Sequence, residues 1–337
     1  MADASVLPPA TAISSSVIEL SGLSKNFGQV QALRDVSLSV PAGITGLLGP
    51  NGSGKSTMIK ILLGLVQASS GHGTVLGRDI YRDGKAIRAD VGFMPEDDCY
   101  ISGISGVEMV HFAACLNGYP SAEALRRAHE VLDYCGAEEE RYREVDTYST
   151  GMRQKLKFAQ ALVHDPALLI LDEPTSGLDP DERQLLLKRI SSLAEKSNIS
   201  VLISTHILPD VQQICDQAIV IATGEVRRAD SIENLNRPTI PSIEIRVVGD
   251  VAVFHDTVLA AGIEVMETSE DRFVLADPHG SLAEQVWPLA RQADVGIRSL
   301  VPARTSLDDV FLQAVQEAQV VEEAQVVEEG GGNDGNA

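Results

Sequence analysis

Gly49-Pro50-Asn51-Gly52-Ser53-Gly54-Lys55-Ser56-Thr57 is the stretch whose reading decides the fold. It fits the pattern G-x-x-x-x-G-K-[ST], and its flanks agree with it. Residues 44–48 read as a short buried strand and residues 58–66 as an apolar helix. Glycines let successive backbone N–H groups turn inward as an anion nest, and the helix N-terminus adds partial positive charge. Gly49, Asn51, Gly52, Ser53, Gly54 and Thr57 belong to that cradle. Lys55 would reach the β- and γ-phosphates of a nucleoside triphosphate, and the Ser56 hydroxyl would ligate Mg²⁺. The competing reading is a Gly-rich turn that binds nothing. A chance match in a chain this long is on the order of one per cent, before the strand and helix are counted.

The chain has 337 residues and ordinary apolar content, enough for a full core and two domains. No apolar run reaches the roughly 18–20 residues that a membrane span needs. Residues 1–16 carry Asp3 and no Lys or Arg ahead of a Pro/Ala/Ser-rich stretch, unlike a signal peptide. The expectation is a soluble protein whose membrane role, if it has one, comes through a partner. Cys99, Cys115, Cys135 and Cys215 are far apart and read as reduced cytosolic thiols. The formal charge of −21 argues against nucleic-acid binding, which needs a basic surface. The segment 305–337 holds eight acidic residues and no Lys or Arg, yet the remainder is still acidic.

The expected organisation is a disordered leader over 1–16, a nucleotide-binding domain over 17–235, a linker at 236–241, an accessory domain over 242–317, and an acidic, largely disordered tail at 318–337. Period-2 segments at 17–20 and 36–40 predict antiparallel strands ahead of the loop. Residues 106–116 and 122–135 carry helical spacing, with Ser121 a candidate N-cap. Further on, 152–163 and 182–195 read as helices, and 167–171 and 200–204 as buried strands. Past the linker, strand 242–248, helix 251–261, strands 263–268 and 272–276, helix 281–292 and strand 296–301 give a βαββαβ order of ferredoxin-like type. Ser306 would cap a last helix, frayed where Ala-Gln-Val-Val-Glu-Glu occurs twice, at 318–323 and 324–329. The fold class is therefore α/β: a mixed-sheet phosphate-loop core with an antiparallel β subdomain and a helical subdomain, followed by a small α+β domain.

Strand residues 168–171 run into Asp172-Glu173-Pro174, at the end of a buried strand where α/β sheets place ligands. Asp172 would hold Mg²⁺ directly or through water, and Glu173 would orient and deprotonate an attacking water. Two solvated acids at a strand end are common, but a phosphate loop upstream changes the odds.

With these residues the chain resembles the ATP-binding cassette (ABC) ATPases over roughly residues 17–230. Tyr148-Ser149-Thr150-Gly151-Met152 stands where the family has its L-S-G-G-Q signature. Ser176-Gly177-Leu178-Asp179 looks like its D-loop, His206 matches its switch histidine, and Phe27 stands where an aromatic residue stacks on adenine. The resemblance implies a head-to-tail homodimer with two ATP molecules at the interface. Lys55, Ser56, Asp172, Glu173 and His206 of one copy would face Ser149 and the Gly151 amide of the other. A second helix N-terminus closing on a half-solvated γ-phosphate excludes water and stabilises developing charge.

Two departures stand out. The Q-loop glutamine, a Mg²⁺ ligand that also meets the membrane partner, is Glu96 here. The signature has Thr150 and Met152 in place of a glycine and the glutamine. Pro95-Glu96-Asp97, the altered signature and 306–311 resemble bacterial ATPase subunits that pair with separately encoded permeases exporting drugs, lipids or polysaccharides. That implies a protein peripheral on the inner face of the cell membrane. The alternative from another class is a soluble ABC ATPase acting on ribosomes or DNA, which the charge and the absence of a second cassette disfavour.

Overall fold

The computed structural model describes residues 16–237, 240–303 and 306–330, with side chains described only to residue 318 in the last segment. The leader up to residue 15 and the end of the chain from residue 331 lie outside the described residues. Contacts divide the chain into two compact units, 1–229 with 314–337, and 230–313.

In chain order, the first unit contains β1 (Ser16–Phe27), β2 (Val30–Pro41), β3 (Ile44–Leu48), α1 (Lys55–Leu62), β4 (Ser70–Val75), β5 (Arg78–Asp79), α2 (Gly84–Asp90) and β6 (Val91–Met94). Then follow α3 (Gly106–Leu116), α4 (Ser121–Tyr134), α5 (Thr150–Leu162), β7 (Leu168–Asp172), α6 (Pro180–Ser197), β8 (Ser200–Thr205), α7 (Leu208–Ile214), β9 (Gln217–Ala222) and β10 (Glu225–Ser231). Two sheets result, a four-stranded one in the order β2-β1-β4-β5 and a six-stranded one in the order β10-β9-β3-β8-β7-β6. β9, β3, β8, β7 and β6 run parallel, and β10 folds back through the turn Thr223-Gly224, both at positive φ.

β3 and β7 are buried along their whole length, which is why they read as predominantly apolar segments, broken only by Thr45 and Gly46 in β3 and by Asp172 at the end of β7. The two-residue period then sorts their side chains. Leu168 and Ile170 enter one core with Leu47, Met58 and the antiparallel sheet. Leu169 and Leu171 enter the other with Val110, Phe158 and the helices α3 to α5. One strand thus separates a β-rich core from a helical one.

Caps account for where the helices start. Ser105 and Glu108 form a reciprocal capping box on α3. Ser121, expected as an N-cap, is instead the first residue of α4; Pro120 holds the cap position without a side-chain bond. The fixed φ of Pro120 suits the chain entering the helix. The Ser121 hydroxyl meets His111 Nε2 at 3.2 Å.

The second unit contains α8 (Ile232–Leu235), β11 (Ser242–Val248), α9 (Val251–Ala260), β12 (Val265–Ser269), β13 (Arg272–Ala276), α10 (Leu282–Gln292), β14 (Gly296–Pro302) and the start of α11 (Leu307–Gly330). Its sheet order is β12-β13-β11-β14, the split βαβ arrangement, with every pairing antiparallel. Ser306 and Asp309 cap α11 reciprocally, and its backbone is helical through Gly330. The contact division falls at 229/230, ahead of the Pro-containing segment at 236–241.

The core of this unit centres on Phe254 and Phe273, both fully buried, edge to face with centroids 5.1 Å apart. Phe254→Ala is expected to cost about 3–5 kcal/mol. Trp287, the single tryptophan of the chain, lies exposed on α10 of this unit, so unfolding is followed by far-UV circular dichroism beside its fluorescence in a denaturant titration. An unchanged midpoint would show that the aromatic pair does not support the unit.

Candidate functional site

The loop 49–57 leaves the end of β3 and enters α1 through Gly54, whose φ of 106° places it where an L side chain is strained. A Cβ at Gly54 would lie 2.6 Å from the Ala32 carbonyl, and one at Gly49 would collide with the Ile221 carbonyl and the Ser53 hydroxyl. β2 and β9 therefore press the loop into shape from both sides. Lys55 Nζ donates to the carbonyls of Gly49 (2.7 Å) and Pro50 (3.2 Å), so the loop curls around its own lysine. Burial pushes the Lys55 ammonium below the usual lysine range, against the opposing pull of Glu173, Asp172 and Glu96.

A cavity of about 360 Å³ opens over this loop. Asn51 to Thr57 form its floor, and Glu96, Asp172 and Glu173 stand on its acidic side. Val30, Gln31, Ala32, Thr223 and Gly224 complete the wall. None of these five is expected from the sequence; a strand start at 30–32 and a hairpin turn between β9 and β10 have no local sign of facing a phosphate loop. The Gly224 N–H donates to the Ser53 carbonyl and its own carbonyl accepts from Arg34 N, which fixes the turn there.

Asp172 ends β7, buried, with Oδ1 lacking a hydrogen-bond partner among the described residues. An orphaned carboxylate oxygen beside a serine-bearing phosphate loop suits a hard cation. The all-oxygen set of Ser56, Asp172 and Glu96 fits Mg²⁺. Among the described residues no group of three or more His, Cys, Asp or Glu could hold a metal alone, so phosphate and water would supply the remaining ligands.

Glu173 is buried at φ 47°, a position a non-glycine residue adopts only when its surroundings impose it. Here they do. The register pairs Asp172 with Ser204, and Glu173 N donates to the Ser204 carbonyl at 2.8 Å. The carboxylate then meets His206 Nδ1 at 3.0 Å and accepts from Thr205 Oγ1 at 3.4 Å. Adjacent parallel strands thus bring the acid and the histidine together.

Six expected residues do not line this cavity: Gly49 and His206, which touch it through Lys55 and Glu173, and four that lie elsewhere. Phe27 is half-exposed at the β1–β2 turn, with Lys25 Nζ 4.6 Å from its ring centroid. Ser149 caps α5, accepting from Met152 N. Gly151 is the second residue of α5, and the Glu182 carboxylate fills the space a side chain there would need. Asp179 caps α6, accepting from Glu182 N at 2.9 Å.

Sequence reasoning also missed a set of side chains on α5. Lys157 Nζ donates to the carbonyls of Pro95 (3.0 Å) and Glu96 (2.7 Å). Arg153 pairs with Asp98 at 2.7 Å, and Gln160 reaches the Cys99 carbonyl. Basic residues at i and i+4 of a helix, set against the acidic run 96–98, are the signal that could have shown it.

Residues 33–176 match the ABC transporter family. An uncharacterized ABC transporter ATP-binding protein of Bacillus subtilis, YdbJ, is 34% identical over 306 residues, covering 90% of this chain and 96% of that one. The chain belongs to the ABC transporter ATP-binding proteins. It is an ATPase subunit built on that family's cassette. The Nod factor export ATP-binding protein I of Ralstonia nicotianae is 32% identical to this ABC protein, over 91% of it and 96% of its relative. Among solved structures, cbiO1 from Clostridium perfringens, part of the ABC transporter complex cbiONQ, superposes with a TM-score of 0.60. It is 27% identical and covers 66% of this chain and 91% of that one.

Gly54→Ala would combine left-handed strain with the clash at Ala32, on the order of 1–3 kcal/mol. Titration with a fluorescent ATP analogue is expected to show binding weakened about ten- to a hundredfold. Wild-type affinity would mean the loop does not hold the phosphates.

Proposed function

We propose that this chain hydrolyses ATP between two copies of itself and thereby drives a separately encoded membrane permease that exports its substrate. The observation that carries the reading is Glu173, buried in a strained conformation at the acidic side of the phosphate cavity and held by His206. A carboxylate fixed there can take a proton from a water attacking the γ-phosphate, while His206 steadies the orientation of that carboxylate.

The other roles follow from position. The backbone N–H groups of 51–57 and the N-terminus of α1 bind phosphate oxygens, and Lys55 exchanges a loop carbonyl for the β- and γ-phosphates. Mg²⁺, held by Ser56 and Asp172 with Glu96 beside them, would supply charge neutralisation at the phosphates. Phe27, at the turn next to Val30, offers an exposed ring to the base. Ser149 and Gly151 lie at the N-terminus of a 13-residue helix and outside the cavity. A partner copy would bring that positive helix end onto the γ-phosphate, with Asp179 alongside.

Export is favoured by the names of relatives such as the Nod factor export protein. The membrane path is assigned to the permease; no helix among the described residues is long and apolar enough to cross a membrane. The chain would then reside on the cytoplasmic face. As for domains, the reading keeps 17–235 as the nucleotide-binding part, 236–241 as the linker and 242–317 as the accessory part.

Glu173→Gln is expected to bind ATP within a few-fold of wild type. Its turnover should fall by about 10²–10⁴, the usual worth of a general base, and an ATP-loaded dimer should accumulate in size-exclusion chromatography. Turnover at the wild-type rate would remove Glu173 from the role of base. Deleting the permease gene should move the protein out of the membrane fraction; a chain that stays with the membrane regardless would contradict docking through that partner.

A further inference from the structure

We propose that Lys157 is a positioning residue for the metal end of the nucleotide cavity, acting through Glu96. This rests on the reading of Glu96 as a Mg²⁺ ligand given above.

Lys157 lies in the third turn of α5, and its surface is only 4% exposed. An ammonium taken out of water is costly unless acceptors and counter-charges surround it. The acceptors here are two consecutive carbonyls, of Pro95 and of Glu96 itself. The counter-charges are Glu96, Asp97 and Asp98. A lysine head, compact and with three rotatable donors, suits two converging carbonyls better than the flat fork of arginine does.

Placement separates this lysine from one that only stabilises a loop. The carbonyls it grips belong to, and directly precede, the one residue of that loop that lines the cavity. On the same helical face Arg153 binds the Asp98 carboxylate and Gln160 the carbonyl of Cys99, so the loop is held after Glu96 as Lys157 holds it at Pro95 before it. The Glu96 carboxylate itself has no protein hydrogen-bond partner among the described residues and is left to the cavity. A carboxylate beside a triphosphate repels it unless held at a distance where a cation bridges the two. Fixing the backbone at 95–96 holds it so. Partners that orient metal ligands in this way are worth about 10- to 100-fold in metal affinity.

The test is binding, not turnover. The Mg²⁺ concentration for half-maximal binding of a fluorescent ATP analogue is measured for wild type, Lys157→Met, Lys157→Arg, Glu96→Ala and the double variant Lys157→Met/Glu96→Ala. Expected are a rise of about 10-fold or more for Lys157→Met, a much smaller rise for Lys157→Arg, which still donates, and no further rise on adding Lys157→Met to Glu96→Ala. Unchanged Mg²⁺ dependence in Lys157→Met or in Glu96→Ala overturns the proposal, as does a shift that adds fully in the double variant. If Lys157→Met does not yield folded protein, Lys157→Gln, which keeps a neutral donor, must show an intermediate shift; wild-type behaviour overturns the proposal equally. Hydrolysis by the wild-type chain is assayed separately, so an inert wild type would count against the ATPase reading without deciding the Lys157 comparison.

Discussion

The Lys55 ammonium, bound by the carbonyls of Gly49 and Pro50 of its own loop, is the contact on which the rest of the cavity depends. It closes a ring of backbone with no room for a side chain at Gly49 or Gly54. The atoms crowding those glycines come from different parts of the chain: the Ala32 carbonyl and Leu33 side chain from β2, Ile221 from β9, and the Gly224 turn bonded beyond it. A phosphate nest built this way works only if the ends of β3 and β9 meet the start of β2. The parallel order β9-β3-β8-β7 brings the first two together, because parallel strands deliver their C-terminal ends to one edge, and β2 reaches them from the antiparallel sheet. Asp172, Glu173, Thr205 and His206 reach the same edge for the same reason.

Charge is the second constraint. A chain with a net charge of −21 must attract a polyanion to a pocket with three carboxylates on its rim. Long-range attraction cannot do this, so the attraction has to be local. Oriented N–H groups, the end of α1 and one buried lysine would supply it on the floor, and a cation between the acids and the phosphates the remainder. Placing Glu96 where the family has glutamine sharpens this demand, and the stripe Arg153–Lys157 on α5 puts positive charge behind that loop.

How much of this was legible follows from how local each signal is. The phosphate loop, β7 with its two acids, and the helix at 106–116 each carry their information within about a dozen residues, and the structure places all three where periodicity and motif put them. The split βαβ order of the second unit was readable for the same reason: each element has its own period. The Glu173–His206 contact was foreseeable only by joining two motifs 33 residues apart. Lys157 to Glu96 spans 61 residues and looks in sequence like any polar residue of an amphipathic helix. Capping failed at Ser121 because a proline took the position one residue earlier. Asp179 caps α6 within its own chain, and the nucleotide contact proposed for it needs a second copy, which no local signal carries.

α5 links these elements mechanically. One face grips the loop at 95–99. Another carries Gln154, which is buried and donates to the Ser176 carbonyl at 3.1 Å, just past Glu173. At its N-terminus Gly151 lacks a side chain, and the Glu182 carboxylate packs into the space, tying the start of α5 to the start of α6. A displacement of Ser149 and Gly151 must therefore move the loop bearing Glu96, the segment after Glu173, or both, since packed interiors transmit shifts instead of absorbing them. The helix proposed to meet a second copy of the chain is in this way tied to the acids of its own cavity. The ties are hydrogen bonds, an ion pair and one packing contact between named groups, so they can be cut one at a time.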